Sequence, residues 1–153
     1  MKILMVCLGN ICRSPLAEAI MREKMRELNV QGYVDSAGIS NYHEGDPPDE
    51  RAISVANEYG IDISNQCSRP FSKSDYNTFD YIFAMDESVL RSLKDNGGAQ
   101  FKDKLFLLPV FAGMDKIRNI PDPYYGGVLE FRRVFNLLNE SCQKALTKLL
   151  PHS

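Results

Sequence analysis

The sequence predicts an α/β fold in which four short, mostly parallel strands alternate with helices that cover both faces of the sheet. Two observations lead to this prediction. Apolar runs typical of buried strands, such as Ile3-Leu4-Met5-Val6, recur along the chain, and segments with a helical spacing of apolar residues separate them. No internal repeat, low-complexity segment or linker interrupts the pattern, so residues 1–153 are expected to form a single domain.

The composition is that of an ordinary globular protein, with 44% apolar and 25% charged residues. A formal net charge of −2 provides no electrostatic basis for binding nucleic acid or a membrane surface. No apolar run reaches transmembrane length, and polar Asn10 and Arg13 follow the apolar N-terminal stretch too closely for a signal peptide. The four cysteines lack paired Cys-x2-Cys spacing, which argues against structural zinc and suits a reducing cytoplasm.

The first strand runs directly into the segment Val6-Cys7-Leu8-Gly9-Asn10-Ile11-Cys12-Arg13-Ser14. Ser14 followed by Pro15 is typical of a helix start, with Ser14 as the predicted cap and Pro15 at the first helical position. Backbone N–H groups and the positive end of a helix would then surround one point, which is a ready anion site.

Two side chains add chemistry to this anion site. Cys7 opens the loop and Arg13 closes it, with five residues between them. The helix end and the guanidinium both stabilise a thiolate, and the planar guanidinium matches two oxygens of a phosphate. We therefore expect Cys7 to attack phosphorus, and Ser14 to donate a hydrogen bond to the thiolate. The alternative is that Cys7 is a small core residue.

The same patterns predict the remaining elements. Helices are expected at 15 to about 28, 48 or 49 to 59, 87 to about 94 and about 128 to 149, and strands at 32–38, 79–85 and 104–108. Gly60 should end the second helix, and Asp86 should cap the third. Cys142 lies on the apolar stripe of the last helix and is expected in the core.

Residues 109–127 are predicted to form a long loop, and long irregular loops in compact domains tend to be functional. Asp122 lies near the end of this loop between two prolines, whose rings restrict the backbone that carries the carboxyl group. Tyr124 and Tyr125 follow and could form the wall of a cleft. Alone, Asp122 would be interpreted as a surface residue in a turn; together with the Cys7 loop, it is a candidate general acid.

Two motifs resemble those of one known family. Residues 6–18, Val-Cys-Leu-Gly-Asn-Ile-Cys-Arg-Ser-Pro-Leu-Ala-Glu, resemble the signature of the low-molecular-weight protein tyrosine phosphatases, and residues 122–127, Asp-Pro-Tyr-Tyr-Gly-Gly, resemble their acid loop. The resemblance covers nearly the whole chain. It implies the sheet order 2-1-3-4 and cofactor-free and metal-free hydrolysis of phosphotyrosine, with Cys7 as nucleophile, Arg13 holding the phosphate and Asp122 as general acid and base.

The resemblance also implies roles for other residues. In the family, the serine that matches Ser36 forms a hydrogen bond with the side chain that matches Asn10. Asn10 would then hold an unusual, left-handed backbone conformation. The aromatic residue near Tyr42 lines the mouth of the site. Cys12 is interpreted as the partner of Cys7 in a transient protective disulfide, although a buried packing role is the alternative. The residues expected to contact substrate or phosphate are Leu8, Gly9, Asn10, Ile11, Cys12, Ser14, Tyr42, Tyr124 and Tyr125.

Two features depart from a simple match. Asn65 is placed where the family commonly has a histidine, which puts one supporting hydrogen bond in doubt. His43 could be a base or a metal ligand, but it has no companion at ligand spacing and the other histidine is the near-terminal His152, so it is interpreted as a loop residue.

Three rival functions remain. A protein arginine phosphatase of the same fold would carry Thr at the position of Ile11. An arsenate reductase needs two further cysteines close together, whereas Cys67 and Cys142 lie far apart in the sequence. A silent phosphate-binding module would bind anions without turnover. The expected partners are phosphotyrosine proteins and inorganic phosphate, as product and inhibitor, and the expected state is a monomer or weak dimer.

Overall fold

The computed structural model describes residues 1–151 and contains a four-stranded sheet in the order β2-β1-β3-β4. The strands are β1 (Lys2–Cys7), β2 (Tyr33–Gly38), β3 (Tyr81–Ala84) and β4 (Leu105–Leu107). Every neighbouring pair is parallel. The predicted class and strand order are confirmed, although β3 and β4 are shorter than the predicted 79–85 and 104–108.

Six α-helices connect and flank the strands: α1 (Arg13–Glu27), α2 (Glu50–Glu58), α3 (Asp75–Thr78), α4 (Glu87–Gly97), α5 (Leu108–Phe111) and α6 (Val128–Leu149), all within residues 1–151. The bounds of α2 and α6 agree with the prediction, and α4 continues three residues further. The short helices α3 and α5 and a 3₁₀ helix at Ala99–Lys104 were not predicted, because so few residues show no helical period. Since α5 overlaps the start of the predicted loop 109–127, only the rest of that loop is irregular.

The start of α1 differs from the prediction. Its cap residue is Cys12, and no side chain caps the helix there, so the assignment of Ser14 as the cap is wrong. Ser14 lies inside the first turn, where its hydroxyl contacts Cys7 rather than the backbone. Pro15 is still in that first turn, where its missing N–H group leaves no helical hydrogen bond unmade.

Strand β1 lies in the centre of the sheet and is buried on both faces. Ile3 and Met5 pack into a core that includes residues of α1, α2 and α6. Leu4 and Val6 point to the opposite face, where they meet residues of α3 and α4. Because the strands are parallel, Cys7 ends β1 at the same edge as the ends of β2 and β3, and the loops that follow them meet there.

Candidate active site

The loop between β1 and α1, residues 8–12 (the phosphate loop), curls around the sulfur of Cys7. The backbone N–H of Asn10 donates to Cys7 Sγ over 3.3 Å. Cys7 is 3% exposed and Asn10, Ile11 and Cys12 are buried, so most of the loop is part of the interior, whereas Leu8 is exposed. The start of α1 follows at once, which directs the positive helix end toward the same point.

Asn10 holds the loop in shape. Its φ of 57° confirms the predicted left-handed conformation. Its side-chain amide donates to Ser14 Oγ at 2.7 Å and to Ser36 Oγ at 3.0 Å, so the expected contact with Ser36 is present. The side-chain oxygen of Asn10, Oδ1, accepts from the backbone N–H of Arg69 at 3.0 Å. The bent backbone is therefore secured from both sides by the rest of the fold.

The direction of these bonds decides what Ser14 can do. Since an amide NH₂ can only donate, Ser14 Oγ is the acceptor of the bond from Asn10. The hydroxyl proton of Ser14 is then free to point at Cys7 Sγ, which lies 3.0 Å away. Ser14 is thus placed to donate to the thiolate.

Glu18 continues this chain of hydrogen bonds, and the sequence interpretation missed it. It is only 6% exposed and accepts from the hydroxyl of Ser36 at 2.6 Å. Its second oxygen accepts from Arg22, one helical turn further along α1, at 2.6 Å. The spacing of Glu18 and Arg22 was a visible signal, because residues at i and i+4 are neighbours on one face of a helix.

Arg13 is almost fully buried, with 3% of its surface exposed. Its Nη1 donates to Asp86 Oδ2 at 2.6 Å and to the carbonyl of Ile120 at 3.0 Å. Burial opposes the charge of Arg13, but the nearby Cys7 and Asp86 outweigh it and raise the pKa of the guanidinium. The cation is therefore held in one orientation with its other edge free.

Asp86 has two functions. It caps α4, as predicted, by accepting from the backbone N–H of Val89 at 2.9 Å. Its other oxygen holds Arg13, which the sequence interpretation did not assign. The side chain that starts α4 therefore also orients the guanidinium of the phosphate site.

Asp122 lies on the opposite wall. Its Oδ2 is 3.8 Å from Arg13 Nη2, and its Oδ1 accepts from the backbone N–H of Tyr124 at 3.0 Å. The side chain is 45% exposed, in contrast to Arg13 at 4%. Although they come from opposite ends of the chain, Cys7, Arg13 and Asp122 face one cavity.

The cavity has a volume of about 540 Å³. It is lined by Cys7, Leu8, Gly9, Ile11, Cys12, Arg13, Ser40, Tyr42, His43, Asp122, Tyr124 and Tyr125. The side chains of Asn10 and Ser14, by contrast, lie behind the loop, where they support it. The sequence motifs therefore divide into residues that face the cavity and residues that shape it.

His43 and Ser40 line the cavity, although neither was assigned to it from the sequence. The ring of His43 meets the ring of Tyr42 edge-on at 4.8 Å, and its Nδ1 is 3.2 Å from Asp46 Oδ2. Within residues 1–151, no group of three or more His, Cys, Asp or Glu side chains could hold a metal ion, and His152 lies outside the described residues.

Asn65 is exposed, and the described part of the chain shows no hydrogen bond from its side chain to the phosphate loop, which is in keeping with the doubt about that supporting bond. Its neighbour Gln66 donates to the carbonyl of Pro15 at 3.2 Å, and Ser68 donates to the carbonyl of Gly9 at 3.1 Å. Contact with the phosphate loop is thus made by the residues that follow Asn65.

The four cysteines are free thiols in very different surroundings. Cys67 is exposed, whereas Cys142 is fully buried in the core, as predicted. Burial raises the pKa of Cys142 to about 12. Burial, followed by the negative charge of Asp49, also raises the pKa of Cys12.

Comparison with known proteins identifies the family. Residues 2–152 match the family model described as low molecular weight phosphotyrosine protein phosphatase. The chain belongs to this family. The family's phosphatase from Gallus gallus is 41% identical over 98% of this chain and 95% of its own length. The resemblance inferred from the two motifs is therefore confirmed over nearly the whole chain.

Solved structures of phosphatases share the fold closely. A protein tyrosine phosphatase from Entamoeba histolytica superposes with a TM-score of 0.93 at 42% identity, covering 97% of this chain and 96% of that one. A Drosophila arginine phosphatase superposes with a TM-score of 0.90 at 34% identity, covering all of both chains. Both a tyrosine and an arginine phosphatase thus lie within this fold, so the choice of substrate depends on the lining of the cavity.

Proposed function

We propose that this chain hydrolyses phosphotyrosine in proteins through a covalent phosphocysteine. The observation that carries the proposal is that Cys7, Arg13 and Asp122 face one cavity from different elements. A nucleophile, an anion-holding cation and a proton donor are the groups that transfer of a phosphoryl group to a thiolate requires.

In the first step, Cys7 Sγ attacks phosphorus while the bond from phosphorus to the tyrosine oxygen breaks. Asp86 and Ile120 occupy Nη1 of Arg13, so its other edge is left for two phosphate oxygens. The backbone N–H groups of the phosphate loop hold the remaining charge. Since these donors are already oriented, little reorganisation accompanies the reaction.

Asp122 begins the cycle protonated and gives its proton to the departing phenolate. The resulting carboxylate then takes a proton from a water molecule, which attacks the phosphocysteine. Phosphate leaves, and the hydroxyl of Ser14 stabilises the released thiolate. This sequence of steps predicts a bell-shaped dependence of rate on pH, since Cys7 must be ionised and Asp122 protonated.

Aromatic walls favour a substrate with a ring. Tyr42, Tyr124 and Tyr125 border the cavity, and Tyr42 is 84% exposed and therefore free to stack on an incoming side chain. Cys7 lies at the buried end of the cavity. A phosphotyrosine spans the distance from this rim to the sulfur better than the shorter phosphoserine, so phosphotyrosine is the preferred class.

The similar arginine phosphatase makes phosphoarginine the second candidate. Ile11 lines the cavity with an apolar side chain, where a threonine would offer a hydroxyl to the guanidinium of phosphoarginine. We therefore expect slow turnover of phosphoarginine. Arsenate reduction is disfavoured further, because Cys142 is fully buried and Cys67 is exposed, so they cannot relay a disulfide.

The decisive experiment is pre-steady-state hydrolysis of para-nitrophenyl phosphate in excess EDTA, with Cys7→Ser in parallel. We expect a burst of nitrophenolate near one equivalent, which the variant lacks although it still binds phosphate. Binding of phosphate by the unmodified protein without turnover would overturn the proposal and favour a silent binding module. Phosphotyrosine and phosphoarginine peptides then distinguish the two substrate classes.

We also propose that residues 1–153 form a single domain that works in the cytoplasm as a monomer or weak dimer. Its product, inorganic phosphate, should inhibit it, and its activity should be sensitive to oxidation. Peroxide would oxidise Cys7 to a sulfenic acid, and the thiol of Cys12 would displace water to form a disulfide. Inactivation by peroxide should then be reversed by dithiothreitol, and Cys12→Ser should make it irreversible.

Along residues 1–151, no helix combines the length and apolarity needed to cross a bilayer.

A further inference from the structure

Arg51, near the start of α2, does not line the cavity, yet it contacts the acid loop, residues 122–127, twice. Its Nη1 donates to the carbonyl of Gly126 at 2.7 Å, and its Nη2 donates to the carbonyl of Tyr124 at 2.9 Å. Both carbonyls belong to a segment without regular secondary structure. A single side chain therefore satisfies two carbonyls of the loop that carries Asp122.

Arg51 is itself held rigidly from the side of the phosphate loop. Its Nε and Nη2 donate to the two oxygens of Asp49 at 3.0 and 2.9 Å. The backbone N–H of Asp49 donates to the carbonyl of Ile11, within the phosphate loop, at 2.8 Å. The guanidinium also lies over the ring of Phe131 at 4.6 Å. A continuous bridge thus runs from the phosphate loop through Asp49 and Arg51 to the acid loop.

This bridge is one of two anchors that flank Asp122. On its N-terminal side, Ile120 donates its N–H to the carbonyl of Met85 at 2.8 Å and accepts from Arg13 at 3.0 Å. On the C-terminal side of Asp122, Arg51 is the anchor, because it holds the carbonyls of Tyr124 and Gly126. The carboxyl group is half-exposed, and within residues 1–151 its one hydrogen bond is local, to the backbone of Tyr124; Arg13 Nη2 lies 3.8 Å away, beyond hydrogen-bond distance, so the position of the carboxyl group depends largely on these anchors.

We propose that the Asp49–Arg51 pair positions Asp122 for proton transfer. The inference rests on the proposed role of Asp122 as general acid. Arg51 touches neither substrate nor the reacting atoms; it sets the separation of the two loops. Since proton transfer requires hydrogen-bond distance to the leaving oxygen, a loop displaced by about 1 Å is expected to lose on the order of 100-fold in rate at most.

A matched control is the ion pair that links α2 with α6. Arg132 of α6 makes three hydrogen bonds with Glu58 of α2, at 2.9 to 3.1 Å, and both side chains are partly exposed. This pair links α2 and α6 without touching the acid loop. Arg132→Gln therefore removes the same kind of side chain as Arg51→Gln, but leaves the bridge to Asp122 intact.

The test measures kcat/KM, which reports the first step, transfer of the phosphoryl group to Cys7, for two substrates whose leaving groups differ in basicity, phenyl phosphate and 2,4-dinitrophenyl phosphate. For Arg51→Gln, we expect kcat/KM for phenyl phosphate to fall about 10- to 100-fold, and to change much less for the dinitrophenyl ester, whose phenolate leaves without a proton. Inhibition by inorganic phosphate should stay within about twofold, since Arg13 and the phosphate loop are unaltered. Arg132→Gln should change none of these values.

A double variant separates positioning from general support. With Asp122→Asn already present, Arg51→Gln should cost less than about twofold, because the group it positions no longer donates a proton. If Arg51→Gln does not fold, Arg51→Lys provides the same test: its single ammonium group cannot reach Asp49 and both carbonyls together, so an intermediate loss with the same leaving-group dependence is expected.

Two results would overturn the proposal. One is that Arg51→Gln lowers kcat/KM equally for both substrates, or that Arg132→Gln lowers it as much as Arg51→Gln does. The other is that Arg51→Gln lowers the rate as strongly in the Asp122→Asn variant as in the parent. Normal turnover by Arg51→Gln with slow turnover by Asp122→Asn would reject the bridge alone. Normal turnover of phenyl phosphate by Asp122→Asn would reject the general-acid role of Asp122, and the positioning role of Arg51 with it.

Discussion

The two loops of the site are built in opposite ways. The phosphate loop is mostly buried, and side chains in it or next to it, such as Asn10 and Ser14, determine its shape. The acid loop is exposed: Asp122 is half-accessible and Tyr125 is 95% exposed, and distant residues such as Arg51 hold it. This difference suits the two chemistries, because a covalent nucleophile needs a fixed, dry surrounding whereas an acid that also activates water needs access to solvent.

The largest effect should come from the residue that contacts both loops. Arg13→Lys leaves a single ammonium group in place of a fork that binds Asp86 and Ile120 and is proposed to bind phosphate at the same time. We expect kcat/KM for para-nitrophenyl phosphate to fall by about 1,000-fold. Arg26→Lys, an exposed change on the same helix, is the control and should be neutral. A loss below tenfold would show that charge alone, without the fork, supports the site.

Two asparagines allow the stability of the buried loop to be measured. Asn10 and Asn29 both have left-handed backbones, with φ of 57° and 53°, but Asn29 is exposed. Asn29→Ala should cost about 1 kcal/mol of unfolding free energy from the backbone alone. Asn10→Ala should cost about 2–4 kcal/mol, because Ser36 and Arg69 also lose their partner. Urea denaturation measures both losses of stability; equal losses would show that the hydrogen bonds of Asn10 add nothing to the stability of the phosphate loop.

Burial of the phosphate loop also predicts a loss of stability at high pH. The pKa of Cys12 is raised in the folded state, mainly by burial, as is that of Cys142 in the core. Above about pH 9 the unfolded chain ionises these thiols while the folded chain keeps their protons, so the free energy of unfolding falls by about 1.4 kcal/mol per pH unit for each thiol. Below that pH the contribution is fully present.

Removing one of these two thiols should remove its contribution to the pH dependence of the free energy of unfolding. Urea denaturation at pH 8 and pH 10 is expected to show a weaker pH dependence for Cys12→Ala and for Cys142→Ala than for the parent. Cys67→Ala, which removes an exposed thiol, is the control for the loss of a thiol as such. An unchanged slope in Cys12→Ala would mean that the loop does not stay closed at high pH.

The smallest effect on the fold should come from the rim of the acid loop. Tyr125→Ala should change the unfolding free energy by less than about 0.5 kcal/mol, because the ring is almost fully exposed. We expect KM for a phosphotyrosine peptide to rise by about threefold to tenfold through lost stacking. Tyr33→Ala is the converse control: its ring stacks on Phe79 at 6.1 Å, outside the cavity, so it should affect stability only. An unchanged KM would remove Tyr125 from the substrate contacts.

Much of the site could be predicted because its central part is local. Cys7, Asn10, Arg13 and Ser14 occupy a single strand–loop–helix segment, in which spacing along the chain almost determines spacing in the structure. The prediction for Ser14 failed where it depended on a boundary: helix α1 begins two residues earlier, and the hydroxyl contacts Cys7 instead of the backbone.

The sequence by itself determined the class of fold, the strand order by resemblance, and the loop that holds Cys7 and Arg13. Only the tertiary structure decided that Asp86 orients Arg13, that His43 faces the cavity and that Arg51 holds the acid loop. These contacts join segments that are distant along the chain. No local pattern encodes them, because they depend on which strand edges, caps and loop carbonyls meet once the core has packed.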